Sequence, residues 1–266
     1  MGLKDQVRGI IPDHTLCSLS DHFDVIGDIA VLTLAPSLAV YGHILADAII
    51  SRRRNIRTVL IKTSRIDGCS RTASYEVIAG IDTVTTHHEY GFLYRLDIGT
   101  VFYNPRLASE RKRVTDQVCP GERVLVPCCG VGPFVIPAAA RGASVVAVEK
   151  NPEACRWLAE NVQLNGVHDR VTLVNGDASD PDLLTGFMFD RAVIPTPYGM
   201  DTIFDVIVPR VKHAGIIHFY TFKNRKQADA MAVEFEEKGY DVILKRACGN
   251  VAPVVNRWVF DLVKQD

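Results

Sequence analysis

The stretch from Val124 to Asn151, VLVPCCGVGPFVIPAAARGASVVAVEKN, constrains this 266-residue chain more than any other. An apolar run, a tight glycine turn, a small-residue helix and a second apolar run ending in an acid follow one another without a break. That is the order found in a parallel sheet whose ligand sits at the carboxyl ends of its strands. In Cys129-Gly130-Val131-Gly132-Pro133 the two glycines allow a sharp turn and a close backbone approach with no Cβ in the way. Glu149 lies 17 residues beyond Gly132, at the end of the second run, where a carboxylate can take both hydroxyls of a ribose. The context fits a dinucleotide or S-adenosylmethionine. Two details favour the second. The third glycine of the dinucleotide fingerprint is absent, since Pro133, Phe134 and Val135 follow Gly132. The next strand ends in Asn175-Gly176-Asp177, a polar edge suited to an adenine amino group. An Asx turn is the other reading of Asp177. The cofactor set expected from this region is Gly130, Gly132, Pro133, Phe134, Glu149, Lys150, Asp177 and Ala178.

Patterning on either side divides the chain near Cys119-Pro120-Gly121. Before it, short β-rich runs (29–34, 58–62, 82–88 and 92–97) surround a helical pattern at 38–51, which reads as a small α+β domain over 1–103. Residues 104–117, with Pro105 early and few apolar side chains, read as a helix joining the two parts over 104–120. From 121 to 266 strands and helices alternate, as a mostly parallel, doubly wound sheet requires. The fold class is therefore α/β, a Rossmann-like domain preceded by a small α+β domain.

Composition narrows the class further. A net charge of −1 gives the molecule no global pull toward nucleic acid, so a polyanion partner has to be met by a local patch. Residues 52 to 71 supply one: Arg52, Arg53, Arg54, Arg57, Lys62, Arg65 and Arg71 against Asp67 alone. The arginine triplet also suits a helix C-terminus. Seven scattered cysteines without a CxxC pair argue against a disulfide framework and a zinc site, and read as reduced core thiols. With no apolar run of membrane-spanning length and no leader pattern, the expectation is a cytoplasmic, metal-free protein away from the membrane.

At the level of whole motifs the chain resembles the archaeal and eukaryotic tRNA guanosine-37 N1-methyltransferases, which share a fold with the wyosine-pathway aminocarboxypropyltransferases. The resemblance rests first on the early region: Asp24 to Ile29, Val59 to Lys62, the turn Asp67-Gly68-Cys69-Ser70-Arg71, Tyr75-Glu76, Ala79-Gly80, His88 to Gly91, Asp97, and Phe102 to Arg111. In the later region GVGPF, Val148 to Pro152, Glu160-Asn161, Leu164-Asn165, Ile216-Ile217-His218 and Val251-Ala252-Pro253 also match. It implies a class I methyltransferase domain behind a substrate-positioning domain, S-adenosylmethionine as methyl donor, tRNA as partner, and a monomer. By the same resemblance Glu110 is the general base, Arg71 contacts the target base, and Pro197 belongs to the loop that closes over it. Arg106, Arg111, Tyr198, Arg52, Arg54 and Lys62 are expected to hold the RNA. The plainer reading of Glu110 is a solvated charge paired with Arg106 or with Lys112 and Arg113.

Two departures stand out. The loop after the fourth strand reads Pro195-Thr196-Pro197-Tyr198-Gly199, so a proline stands where the family has an asparagine whose amide holds the base edge. The first strand ends in Val126-Pro127, where the family has an acid. Methyl transfer, aminocarboxypropyl transfer and RNA binding with a degenerate cofactor pocket therefore all stay open on the sequence.

Overall fold

The structure, a computed structural model, describes residues 2–64 and 73–265. The chain divides into two compact units, Met1–Pro105 and Arg106–Asp266.

In the first unit, β1 (Asp24–Ile26), β2 (Ile29–Leu32), β3 (Thr58–Lys62) and β4 (Tyr75–Ala79) form a sheet in the order β1-β2-β3-β4. β2 and β3 run parallel, joined by helices α3 (Pro36–Ala39) and α4 (Gly42–Arg52), whose Leu38, Leu45 and Ala46 are fully buried beside Val59. Helices α1 (Leu3–Gln6) and α2 (Asp13–Leu16) and the segment between them add Leu3, Val7, Ile11 and Leu16 to that core. A separate hairpin pairs β5 (Val84–Glu89) with β6 (Phe92–Asp97). The continuous helix expected at 38–51 is two, because Tyr41 takes a non-helical conformation ahead of Gly42, a weak helix former. The strand expected from residue 82 starts at Val84, since the Asp82 carboxylate accepts the Val84 amide and makes a turn of its own.

The second unit is built on a sheet of seven strands in the order β12-β13-β11-β10-β7-β8-β9. These are β7 (Arg123–Pro127), β8 (Ser144–Glu149), β9 (Val171–Asn175), β10 (Phe189–Pro195), β11 (Val211–Lys223), β12 (Tyr240–Ala252) and β13 (Val255–Lys264). Pairings from β9 through β11 are parallel, and β13 and β12 close the edge antiparallel. Helices cover the central strands on both faces, so β7 and β8 are near-continuous buried apolar runs. α5 (Ala108–Gln117) precedes the strands of the sheet, and α6 (Val135–Ala140), α7 (Pro152–Leu164), α8 (Ile203–Ile207) and α9 (Arg225–Glu237) lie between them in the chain. α7 starts where its sequence says it should: the Asn151 side chain accepts the Glu153 amide and Pro152 takes the first helical position. Residues 105–107 form a 3-10 turn ahead of α5, which belongs to the second unit. The mostly parallel α/β sheet and the preceding α+β unit follow the expected fold class.

The thiols divide differently from expectation. Cys129 and Cys155 are buried, whereas Cys17 and Cys119 are exposed, because they sit at the end of a short helix and in a turn. Burial pushes the Cys155 thiol up to about 11, which removes it as a nucleophile at neutral pH. Cys69 lies outside the described residues.

Candidate active site

β7 ends at Pro127, and the chain then turns through Cys128 at φ 52°, Gly130 at φ 56° and Gly132 at φ 96° into α6. A positive φ at the non-glycine Cys128 is a strained backbone state, of the kind that collects at ligand sites. Gly130 turns its amide onto Glu149 at the end of β8: the Gly130 amide donates to Oε2 at 2.8 Å and the Asn151 amide donates to Oε1 at 2.8 Å. The carboxylate therefore ties the glycine turn to the start of α7. Each oxygen has a further lone pair, so the group can still accept from a vicinal diol. At Gly132 a packing demand is visible. A Cβ there would lie 2.4 Å from Leu158 Cδ1 of α7, so the missing side chain makes room for that helix to pack. Pro133 is half-buried, Phe134 is buried, and Ala178 lies in the core beside Leu125 and Val148. The turn, the acid at the second strand and the polar end of β9 fit the donor set that a nucleoside with a free ribose requires.

Asp177 is the Asx turn. Its Oδ1 accepts the Ser179 amide at 3.0 Å and the Ser179 hydroxyl, and its Oδ2 pairs with Lys150 Nζ at 2.7 Å. The Lys150 ammonium, together with Ser179, holds this carboxyl well below the usual range. Lys150 thus braces the β9 end of the site, and any ligand contact by Asp177 uses its remaining lone pairs.

Glu110 is not a solvated charge. It is 3% exposed on α5 and sits among Arg113 Nε at 3.2 Å, the Tyr220 hydroxyl at 3.2 Å and the guanidinium of Arg246. The strand register explains how a sheet brings such groups together. His218 of β11 stands directly across from Asp261 of β13, while Val193 of β10 stands across from His218. Residues 191, 218, 220 and 261 therefore share one face. On that face the Arg191 side chain binds Glu122 at 2.8 Å, the Gln117 carbonyl at 2.8 Å and His218 Nε2 at 2.8 Å. His218 Nδ1 lies 2.7 Å from Asp261 Oδ1, and Asp261 takes both terminal nitrogens of Arg113, Nη2 at 3.1 Å.

A guanidinium only donates, so His218 Nε2 has to accept, and the ring is the neutral tautomer with its proton on Nδ1. Burial pushes His218 down, and Arg191 and Arg113 add to that against the pull of Asp261. Burial alone would raise Asp261, yet the hydrogen bonds from His218 and Arg113 outweigh it and hold its carboxyl at about 2. Burial raises the Tyr220 phenol, which stays a donor to Glu110. Its ring lies 5.6 Å from that of Phe134 in the glycine turn. Tyr220 therefore touches both the turn and Glu110.

Comparison with known proteins places this arrangement. A model described as the TRM5/TYW2 methyltransferase domain matches residues 85–243, and one described as the TYW2 N-terminal domain matches residues 3–83. The chain belongs to the TRM5/TYW2 methyltransferase family. It is 32% identical over 256 residues to the tRNA (guanine(37)-N(1))-methyltransferase Trm5b of Pyrococcus abyssi, covering 91% of this chain and 74% of that one. The crystal structure of Trm5b from that organism superposes with a TM-score of 0.85 at 31% identity, covering 96% of this chain and 78% of the other. A tRNA(Phe) (4-demethylwyosine(37)-C(7)) aminocarboxypropyltransferase of Pyrococcus horikoshii is 35% identical over 184 residues, or 67% of this chain and 66% of its own. The crystal structure of P. horikoshii TYW2 in complex with MeSAdo superposes with a TM-score of 0.78 at 28% identity, covering 98% of this chain and 97% of that one.

In this TRM5/TYW2 methyltransferase the loop that departs from the family sequence follows the end of β10 at Pro195. Thr196 and Pro197 are buried, and the Pro197 carbonyl accepts the Met200 amide at 3.1 Å. Tyr198 is 67% exposed, its ring 5.3 Å from that of Phe222, and the Arg257 guanidinium lies 4.8 Å from the other ring's centre. Asp201 fastens the loop to β11 through Thr221 at 2.8 Å and Lys223 at 2.6 Å.

The expected RNA contacts divide. Arg52, Arg54 and Arg106 are exposed. Lys62 is half-buried, and burial pushes its ammonium down. Arg57 is spent on an ion pair with Asp28. Arg111 is 2% exposed, so its guanidinium is a buried group and not a surface RNA contact; the α5 periodicity turns it inward with Val114. Arg71, Arg65 and Asp67 lie outside the described residues. No helix among the described residues is long and apolar enough to cross a membrane.

The pairing of Glu110 with Arg113 follows the plainer sequence reading, although Glu110 is buried, whereas sequence reasoning missed Arg191, Tyr220, Arg246 and Asp261. A signal existed for Asp261, a lone polar residue in the apolar run WVFDLV, whereas Arg191 follows Asp190 and Arg246 follows Lys245.

Proposed function

We propose that this chain transfers the methyl group of S-adenosylmethionine to N1 of guanosine 37 in tRNA, next to the anticodon, with Glu110 taking the N1 proton. The proximity of Glu110 to the glycine turn through Tyr220 and Phe134 carries the reading. N1 of guanine bears a proton and is a poor nucleophile, so the reaction needs a carboxylate beside N1 and a donor for the charge that grows on O6. When bound, S-adenosylmethionine supplies a methyl group activated by its sulfonium. Glu149 accepts the ribose hydroxyls, with Gly130 and Asn151 holding its orientation, and Asp177 and Ala178 line the adenine end.

Of the named partners of Glu110, Arg246 reaches the surface, its side chain 48% exposed against 19% for Arg113. Arg246 is the partner that yields when a base enters. The carboxylate then accepts the N1 proton, and Arg71 serves as the O6 donor. Tyr198, backed by Phe222, stacks on the splayed base beside Pro197, and Arg52, Arg54, Lys62 and Arg106 follow the backbone. The enzyme works as a monomer in the cytoplasm and without a metal.

One observation favours aminocarboxypropyl transfer from the same cofactor as a second reading: Pro195 removes the amide expected at the base edge. The direct test of the first reading is Glu110→Gln. Its kcat falls roughly 100- to 10,000-fold with cofactor affinity kept, the range of a lost general base. Full activity in that variant removes Glu110 from the role. Absence of any calorimetric binding of S-adenosylmethionine to the intact protein removes both transferase readings.

A further inference from the structure

The charged face of the sheet does more than its packing requires. A buried guanidinium and a buried carboxylate are tolerated when paired, but they rarely add stability over apolar side chains of the same size. Here the pairs form one alternating line, Glu122, Arg191, His218, Asp261, Arg113 and Glu110, and it ends on the carboxylate assigned to the chemistry. Arg113 is the hinge of that line. Its Nε faces Glu110 Oε2 at 3.2 Å, and both of its terminal nitrogens face Asp261. One cation is thus divided between two anions. Among the described residues, the groups that face Glu110 include Arg113 from its own helix, Tyr220 from β11 and Arg246 from β12, with Asp261 of β13 behind Arg113.

We propose that Arg113 and Asp261 are positioning residues, which aim the Glu110 carboxylate and set how strongly it holds a proton by dividing the arginine charge between two acids. This rests on the reading of Glu110 as the base. Removing the Asp261 charge leaves Arg113 to Glu110 alone, so Glu110 stays ionised to lower pH and becomes a poorer proton acceptor. Removing the Arg113 charge does the reverse. His218, held neutral with its Nδ1 proton on Asp261, keeps that acid turned toward Arg113.

The test compares Asp261→Asn, Arg113→Gln and Arg113→Lys with the wild type. It reads melting temperature, S-adenosylmethionine affinity, kcat and KM for tRNA, and the acid limb of the kcat–pH profile. For Asp261→Asn we expect an unchanged KM, a kcat lowered roughly tenfold and an acid limb moved down by about one pH unit. For Arg113→Gln the limb moves up, and Arg113→Lys restores it toward the wild-type position. A residue that only supports the fold would lower the melting temperature and leave the limb in place. Either folded neutral variant with the wild-type limb overturns the proposal. Where Asp261→Asn does not fold, the two Arg113 variants decide. Glu110→Gln, run in parallel, separates the failures: full activity there overturns the base assignment and this proposal together, whereas loss there with an unmoved limb in the neutral variants overturns this proposal alone.

Discussion

The glycine turn after β7 and the charged face of β10, β11 and β13 solve the same problem, holding a carboxylate in place, by opposite means. At the turn, Glu149 is held by two backbone amides from residues within 20 positions of it. On the charged face, Glu110 is held by side chains drawn from α5, β11 and β12, and these are held in turn by β10 and β13. Backbone amides carry only partial charge and cannot be removed by a side-chain change. A buried arginine can be, and its loss strands its partners. The first arrangement is robust and suits a cofactor pocket whose ligand is always the same. The second is tunable and suits a group whose proton affinity has to match a reaction.

If that contrast is right, the charged face is the more fragile of the two. Arg191→Leu leaves His218 Nε2, Glu122 and the Gln117 carbonyl without their donor, and it should cost about 3–5 kcal/mol of stability, read as a drop in denaturant midpoint. A loss under 1 kcal/mol would mean that the line is not a connected unit.

The turn breaks through volume instead. Gly132→Ala puts a methyl against Leu158 at a positive φ and should cost about 1–3 kcal/mol. Its effect on S-adenosylmethionine affinity should follow the loss of folded protein and no more, because the glycine faces α7.

Tyr198→Ala sharpens the contrast from outside both regions. Removing an exposed stacking ring should weaken tRNA binding by about 1–3 kcal/mol and leave cofactor affinity unchanged.

The smallest effect is the acid dependence of stability. The folded pKa of His218 lies below its ordinary 6.5, so the unfolded chain takes up more protons in that window. The contribution of His218 is complete above pH 6.5 and is lost as pH falls from there through the folded value. Melting temperature should therefore decline across that interval, and His218→Gln should flatten the decline.

The same contrast explains what could be read without a structure. The glycine turn, Glu149 and the strand–helix alternation of the second unit were legible because each is a local property: period, turn chemistry and the terminal acid of the turn all lie within 124–151. His218 and Asp261 are each flanked by apolar residues in their strands, but that they meet is set by strand register and by the position of β13 between β11 and β12, and neither is a local property. Arg111 was misplaced because neighbouring positions on a short charged helix differ by about 100° in direction. At Gly132 a missing Cβ reads the same from sequence whether it admits a nucleoside or a leucine.

The account turns on the group transferred and the atom that receives it. Incubation of the full chain with unmodified tRNA and methyl-labelled S-adenosylmethionine, followed by nucleoside mass analysis, should give labelled 1-methylguanosine at position 37. An aminocarboxypropyl adduct with release of methylthioadenosine, or label on any other nucleoside, would contradict it.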